Sequence, residues 1–330
     1  MFQLNVGGNT QADASKVYDL LVVGAGAAGL TAAIYASRDG WQTLVLERET
    51  TGGLAATTHL IENYPGFPEG IDGSELMEKF VAQAKRFGAE IVEFEEVTGL
   101  RKREDGIFEV TTSDGQVFKG RTVVLATGSR PKKLGIPGEA EFTNKGVSYC
   151  ATCDGPLYKD QDVVVIGCGN SGLQEAQILL EYAKSVTFVE FLDHSIAEKV
   201  LRDRVMNHPK VKCYFSHMAV EIKGSDFVEA VVIKDRETGE LKELPTKAVF
   251  IYVGYQPYTD FVKGVVELDE RGYIVTDRHM RTNVEGVFAA GDVRSGNLAQ
   301  VAVAVGDGAK AAIAVREYLQ AHPELMAIEA

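Results

Sequence analysis

Two cysteines separated by two residues, Cys150-Ala-Thr-Cys153, stand directly before an acid, Asp154. A Cys-X-X-Cys pair lowers the pKa of one thiol, raising its thiolate fraction near neutral pH and readying the pair for thiol–disulfide exchange. The competing chemistry is a metal site. Structural zinc takes four ligands, usually from two such pairs. The sequence has no second Cys-X-X-Cys and no His-X-X-X-His, and its histidines (His59, His194, His208, His217, His279, His322) are scattered. No metal is expected. Cys168 reads as a small apolar turn residue and Cys213 as part of a buried strand.

A second group of residues occurs twice. Residues 18–47 (YDLLVVGAGAAGLTAAIYASRDGWQTLVLE) and 162–190 (DVVVIGCGNSGLQEAQILLEYAKSVTFVE) each carry three glycines spaced Gly-X-Gly-X-X-Gly, and each ends in an acid 18 residues beyond the third glycine. Gly24 and Gly167 permit a tight turn. Gly26 and Gly169 let backbone approach a pyrophosphate, and Gly29 and Gly172 let helix and strand pack closely. Phosphates then face a helix N-terminus, with Asn170 and Ser171 opening the second helix. Glu47 and Glu190 can accept from ribose hydroxyls. One such run is weak evidence; two in full context are strong. A pair of dinucleotide sites implies an electron relay, unless one copy survives only as scaffold.

The elements around these groups are β-α-β units, each a β-branched or leucine-rich run, an apolar-periodic helix and a second strand. The expected fold class is α/β, with two Rossmann-like dinucleotide-binding domains, the second inserted into the first. Arg121 to Ser129 and Gly286 to Asp292 read as strands of the first domain, with crossings near Pro131–Pro137 and Gly254–Pro257. Residues 1–133 and 258–330 would form that domain and 134–257 the inserted one. Gln300 to Tyr318 reads as an amphipathic helix returning to domain one.

At 330 residues, 45% hydrophobic and 25% charged, the chain has material for two cores. Its formal charge of −13 argues against nucleic acid or an anionic membrane as partner. Leu20 to Ser37 is uncharged and long enough to score as a membrane span, but its three spaced glycines favour strand, turn and buried helix. Met1 to Lys16 is polar with no signal-like apolar run. With one close dithiol and no disulfide framework, a reducing cytoplasm is expected.

The segment CATCDG (Cys150 to Gly155), both glycine runs, the ATG turn at Ala126–Gly128 and GVFAAGD (Gly286 to Asp292) together resemble low-molecular-weight thioredoxin reductases over nearly the whole chain. Gly52–Gly53, ENYPGFPEGIDG from Glu62 to Gly73 and GDGAKAA from Gly306 to Ala312 add to the likeness. The resemblance implies FAD on the first unit. Gly24, Gly26, Ala27, Ala28 and Gly29 would hold the pyrophosphate, and Glu47 the adenosine ribose. Asn63 and Asp292 would touch the flavin end, with Gln300 nearby. Arg48, Gly53, Leu54, Val97, Ala126, Thr127, Gly128, Gly291 and Val301 complete the implied FAD positions. Asn63 also reads as a turn residue, and Asp292 as a helix N-cap. By the same resemblance Cys153 faces the flavin, Cys150 attacks the incoming disulfide, and Asp154 protonates the leaving thiolate. A homodimer acting on thioredoxin or a glutaredoxin-like protein is implied.

Departures from the family concern the electron donor. NADPH-specific members carry His-Arg-Arg-X-X-X-Arg after the second strand of the inserted domain; Glu190, Phe191, Leu192 and Ile196 stand there instead. An acid at that point repels a 2′-phosphate and suits NADH; otherwise Glu190 is a solvated charge. The stretch also resembles NADH-using reductases of alkyl hydroperoxide reductase systems. Those normally carry N-terminal thioredoxin-like modules, and with so few residues before Tyr18 a separate carrier chain is expected. Ala299 and Leu54 replace a family arginine and glutamine near FAD. NADH is the expected donor, with ferredoxin, then NADPH, as alternatives. The alternative of another class is a redox-sensing flavoprotein without turnover.

Overall fold

The computed structural model describes residues 12–328; most of the Met1–Lys16 stretch searched for a signal lies outside them. The chain divides into two compact units, residues 1–130 with 256–330, and residues 131–255. The crossing segments Ser129–Pro131 and Tyr255–Pro257 pair as a two-stranded sheet.

In the first unit, Val17–Val23 alternates its side chains between two cores. Leu20 and Val22 meet the helix Ala27–Arg38, while Leu21 and Val23 face the opposite side of the sheet. Five parallel strands (Glu90–Val92, Thr43–Leu46, Val17–Val23, Val117–Leu125 and Val287–Ala289) continue into an antiparallel meander through Phe108–Thr112 and Val97–Lys102. The long strand Val117–Leu125 makes this possible. Its first half pairs with the meander, and its second half takes Val287–Ala289, recruited from far along the chain.

The C-terminal helix runs Val301–Ala321, with Gln300 as its N-cap, and Pro323 follows its end. It starts one residue later and runs three residues further than the expected Gln300–Tyr318. Its alanine-rich face packs against the helix Ala27–Arg38. The buried Arg121 guanidinium secures the chain end: it donates to the carbonyls of Leu325, Ile328 and Val17 at 2.8–2.9 Å and pairs with Asp19 at 3.2 Å. Leu20 to Ser37 is a strand, a glycine turn and most of a helix. No helix among the described residues is long and apolar enough to cross a membrane.

The second unit holds a parallel sheet in the order Val211–Tyr214, Ser185–Val189, Asp162–Ile166, Ala248–Ile251, Val147–Ser148. A separate antiparallel sheet, His217–Gly224, Val228–Asp235 and Leu241–Pro245, shares a core with one face of it. The helix Asn170–Tyr182 packs on the other face.

Candidate functional site

Cys150 and Cys153 are joined as a disulfide, with their Cα atoms 5.4 Å apart. Cys150 ends the chain leaving Val147–Ser148 and caps a single helical turn, Ala151–Asp154; its Sγ accepts from the Cys153 N–H at 3.2 Å. Cys150 is half-buried and Cys153 exposed. The Ser148 hydroxyl donates to Asp154 at 2.6 Å and accepts from the Cys150 N–H at 3.1 Å, which holds the acid beside the dithiol turn. Among the described residues no cluster of His, Cys, Asp and Glu could hold a metal ion. Cys168 and Cys213 are free thiols; Cys168 is buried, whereas Cys213 on its strand is only half-buried. Burial pushes both thiols up, to about 11 and about 12, so neither resembles a reactive thiolate.

The two glycine turns have the same geometry. Gly24 and Gly167 lie at φ +101° and +102°, and a Cβ on either would run into a carbonyl, of Ala126 or of Tyr252. A Cβ on Gly29 or Gly172 would strike the carbonyl of Gly24 or Gly167. Those four glycines are required by the protein's own atoms. Gly26 and Gly169 are not: their φ angles of −79° and −83° suit any residue, and a Cβ there meets nothing within 4 Å. Each is the N-cap of its helix, with no side chain bonded to the first-turn amides. The open ground in front of each helix is what a dinucleotide pyrophosphate fills, so the residues present fit that group.

The two acids repeat as well. Glu47 accepts from the N–H groups of Ala25 (2.7 Å) and Glu49 (2.9 Å); Glu190 accepts from those of Cys168 (2.6 Å) and Leu192 (2.9 Å). Each carboxylate thus clamps the first X of its glycine turn to its own strand end. Glu190 is only 8% exposed, so the reading of it as a solvated charge does not hold.

Around the first turn, Gly53 approaches Gly26 Cα, and Gly291 lies against Ala28. Ala27 opens the helix beside them. Ala126 bonds back to Val23, and Thr127 donates to the Tyr258 carbonyl at 2.7 Å, next to Gly128 at φ +64°. Asn63 and Gln300, 237 residues apart, meet through a 2.9 Å side-chain hydrogen bond, and Val301 follows as the first helical residue. Asp292 lies within a 3₁₀ turn, Gly291–Val293, rather than at a helix N-cap. Burial pushes its carboxyl up; the Asn297 amide, at 2.6 Å, opposes the rise and Asp307 adds to it. Leu54 is exposed on the one-turn helix Gly53–Ala56. Arg48 stacks on the Tyr258 ring at 4.2 Å and pairs with Glu49. Val97 stands apart, buried on the sheet face away from the helix Ala27–Arg38.

At the second turn the Asn170 side chain is tied to Glu198, from whose N–H it accepts at 2.7 Å, and Ser171 follows on the helix. Phe191, Leu192 and Ile196 are exposed apolar residues where the family's NADPH-binding members have cations. Spacing gave no sign of Arg236. It reaches in from beyond Val228–Asp235, lies 3.6 Å from the Phe191 ring centroid and donates to the Phe191 carbonyl at 2.8 Å. Glu175 and Tyr252, bonded to the dithiol turn, were also not found from spacing, since each reads as an ordinary residue of its element.

A redox dithiol and two dinucleotide-type folds in one chain define a disulfide oxidoreductase. Residues 18–308 match the family described as pyridine nucleotide-disulphide oxidoreductase. A thioredoxin reductase from Treponema pallidum is 44% identical over 302 residues, 92% of this chain and 97% of the relative. Among solved structures, thioredoxin reductase from Lactococcus lactis superposes with a TM-score of 0.89 at 40% identity, covering 92% of this chain and 99% of that one. The T. acidophilum enzyme gives 0.87 at 44% identity, covering 93% and 99%. The chain belongs to the pyridine nucleotide-disulphide oxidoreductases, in their low-molecular-weight thioredoxin reductase branch. That family implies FAD and a pyridine nucleotide.

Proposed function

We propose that this chain is an NADH-dependent thioredoxin-disulfide reductase, with FAD on the first glycine turn and the nicotinamide dinucleotide on the second. The observation that carries the reading is the open position at both Gly26 and Gly169, a glycine explained in each turn by a ligand rather than by protein packing. Bound FAD supplies the two-electron carrier between nicotinamide and disulfide. Glu47, Asn63, Asp292 and Gln300 would orient it, with the neighbouring residues named above. The chain's own residues perform the exchange. The Cys150 thiolate attacks one sulfur of the substrate disulfide, forming a mixed disulfide and expelling a thiolate. Asp154, held by Ser148, delivers the proton to that leaving sulfur. The Cys153 thiolate then attacks Cys150, releasing the second substrate thiol and restoring the Cys150–Cys153 bond.

A thioredoxin- or glutaredoxin-like protein is the proposed substrate, the cytoplasm the compartment, and a homodimer the working form. The free thiols Cys168 and Cys213 suit a reducing compartment. For the donor, Glu190 brings a carboxylate to the second turn and Phe191, Leu192 and Ile196 carry none of the family's cations, the nearby Arg236 being engaged with the Phe191 ring and carbonyl, which supports a free ribose 2′-hydroxyl. Anaerobic mixing with NADH, NADPH and reduced ferredoxin, each alone, tests this. NADH should bleach the flavin fastest. Bleaching by ferredoxin alone would make the second turn a scaffold, and reduction without turnover on any thioredoxin would leave a redox sensor.

A further inference from the structure

Glu175 lies on the helix Asn170–Tyr182, which follows the second glycine turn, and its half-buried carboxylate meets the dithiol turn. One oxygen accepts from the Ala151 N–H at 2.9 Å and from the Tyr252 hydroxyl at 3.3 Å, and the Thr152 amide, facing the same carboxylate, favours its charged form. The Tyr252 hydroxyl itself accepts from Ala151 N–H at 2.9 Å. Tyr252 is fixed in turn, its carbonyl packed where a Cβ of Gly167 would go. Ala151 and Thr152 are the two residues between the cysteines. The Ala151 amide is therefore held by Glu175 and Tyr252, and Cys150 Sγ accepts from Cys153 N–H.

We propose that Glu175 is a positioning residue that sets the redox equilibrium of the Cys150–Cys153 pair, holding the Ala151 amide between the cysteines and keeping a carboxylate beside the turn. Reduction breaks the S–S bond with two electrons; one sulfur takes a proton and the other remains a thiolate. A new negative charge next to a carboxylate is disfavoured, and amides bound elsewhere do not offset it. Glu175 thereby makes the reduced pair a stronger reductant toward the next disulfide. Burial pushes the Glu175 carboxyl up, while the two amides and Tyr252 pull it back toward the charged form. This inference rests on the disulfide-reductase reading.

The test equilibrates the full-length FAD-bound protein with mixtures of reduced and oxidised dithiothreitol without oxygen. Acid quenching, alkylation and mass spectrometry then give the reduced fraction of Cys150 and Cys153. Glu175→Gln keeps the shape and one acceptor oxygen, and should move the equilibrium toward the dithiol by about tenfold, about 30 mV for a two-electron couple. Glu175→Ala should move it at least as far, with flavin content reporting that the fold is kept. A Glu175→Gln equilibrium within twofold of the parent's overturns the proposal, as does a shift seen only in Glu175→Ala. The proposed function fails differently: a parent whose dithiol titrates normally but which reduces no thioredoxin-like disulfide contradicts that reading and leaves the Glu175 result standing.

Discussion

Cys150 and Cys153 differ in the contacts each sulfur makes. Cys150 is half-buried and its sulfur accepts a backbone N–H, whereas Cys153 is exposed. With Cys150 as the attacking group, reduced Cys153→Ser should trap an oxidised thioredoxin as a stable mixed disulfide, approaching one per chain. Cys150→Ser should trap little. Non-reducing electrophoresis with mass mapping reads this directly, and the opposite pattern reverses the two roles. The donor question also lives at single residues. Glu190 holds two backbone amides, so replacing it removes charged hydrogen bonds of about 1.5–3 kcal/mol and disturbs the turn itself. The cleaner variant keeps Glu190 and makes Phe191→Arg with Leu192→Arg, which should shift preference toward NADPH by about tenfold, about 1.4 kcal/mol, in stopped-flow flavin reduction. An unchanged NADH/NADPH ratio would show that no 2′-phosphate comes near these positions. The spacing of both acids was legible in the sequence because strand and helix lengths fix it. Their grip on backbone amides was not, since spacing carries no side-chain rotamer.

At the scale of elements, each β-α-β unit divides its glycines between two duties. Gly29→Ala sets a Cβ against the Gly24 carbonyl and should cost on the order of 1–3 kcal/mol, as overpacking does. Gly26→Ala meets no protein atom, so thermal unfolding of the apoprotein should fall by no more than about 1 kcal/mol, the scale of an N-cap change. Its flavin should nevertheless dissociate more readily, as ultrafiltration would show. Gly169→Ala should spare both fold and flavin and slow reduction by NADH alone. If Gly26→Ala retains FAD as the parent does, the open ground before the first helix is not the pyrophosphate site. Period and glycine spacing made these units readable. Other elements were not, because they depend on long-range pairing. Val287–Ala289 is three residues long and gains its place from the free half of Val117–Leu125, and Asn63 meets Gln300 only once the chain has returned.

At the scale of the whole molecule, the units differ in how their chain is used. Residues 131–255 are one continuous segment with cores on both faces of their own parallel sheet. The other unit is built from two pieces, 1–130 and 256–330. Its sheet needs Val287–Ala289 beside Val117–Leu125, its first helix needs Val301–Ala321, and Arg121 needs the carbonyls of Leu325 and Ile328. A domain folds alone when its core and backbone partners lie within the segment. Residues 131–255 expressed alone should therefore give a cooperative thermal transition and dispersed amide resonances, with the Cys150–Cys153 bond able to form. Residues 1–130 expressed alone would lack Val287–Ala289, which pairs with the second half of Val117–Leu125, and the packing of the C-terminal helix, and should show neither. Adding residues 256–330 through a short linker in place of 131–255 should restore the fold and yellow flavin binding. Residues 131–255 found unfolded would mean that this unit depends on the other, and 1–130 found folded would mean that its core is complete without 256–330.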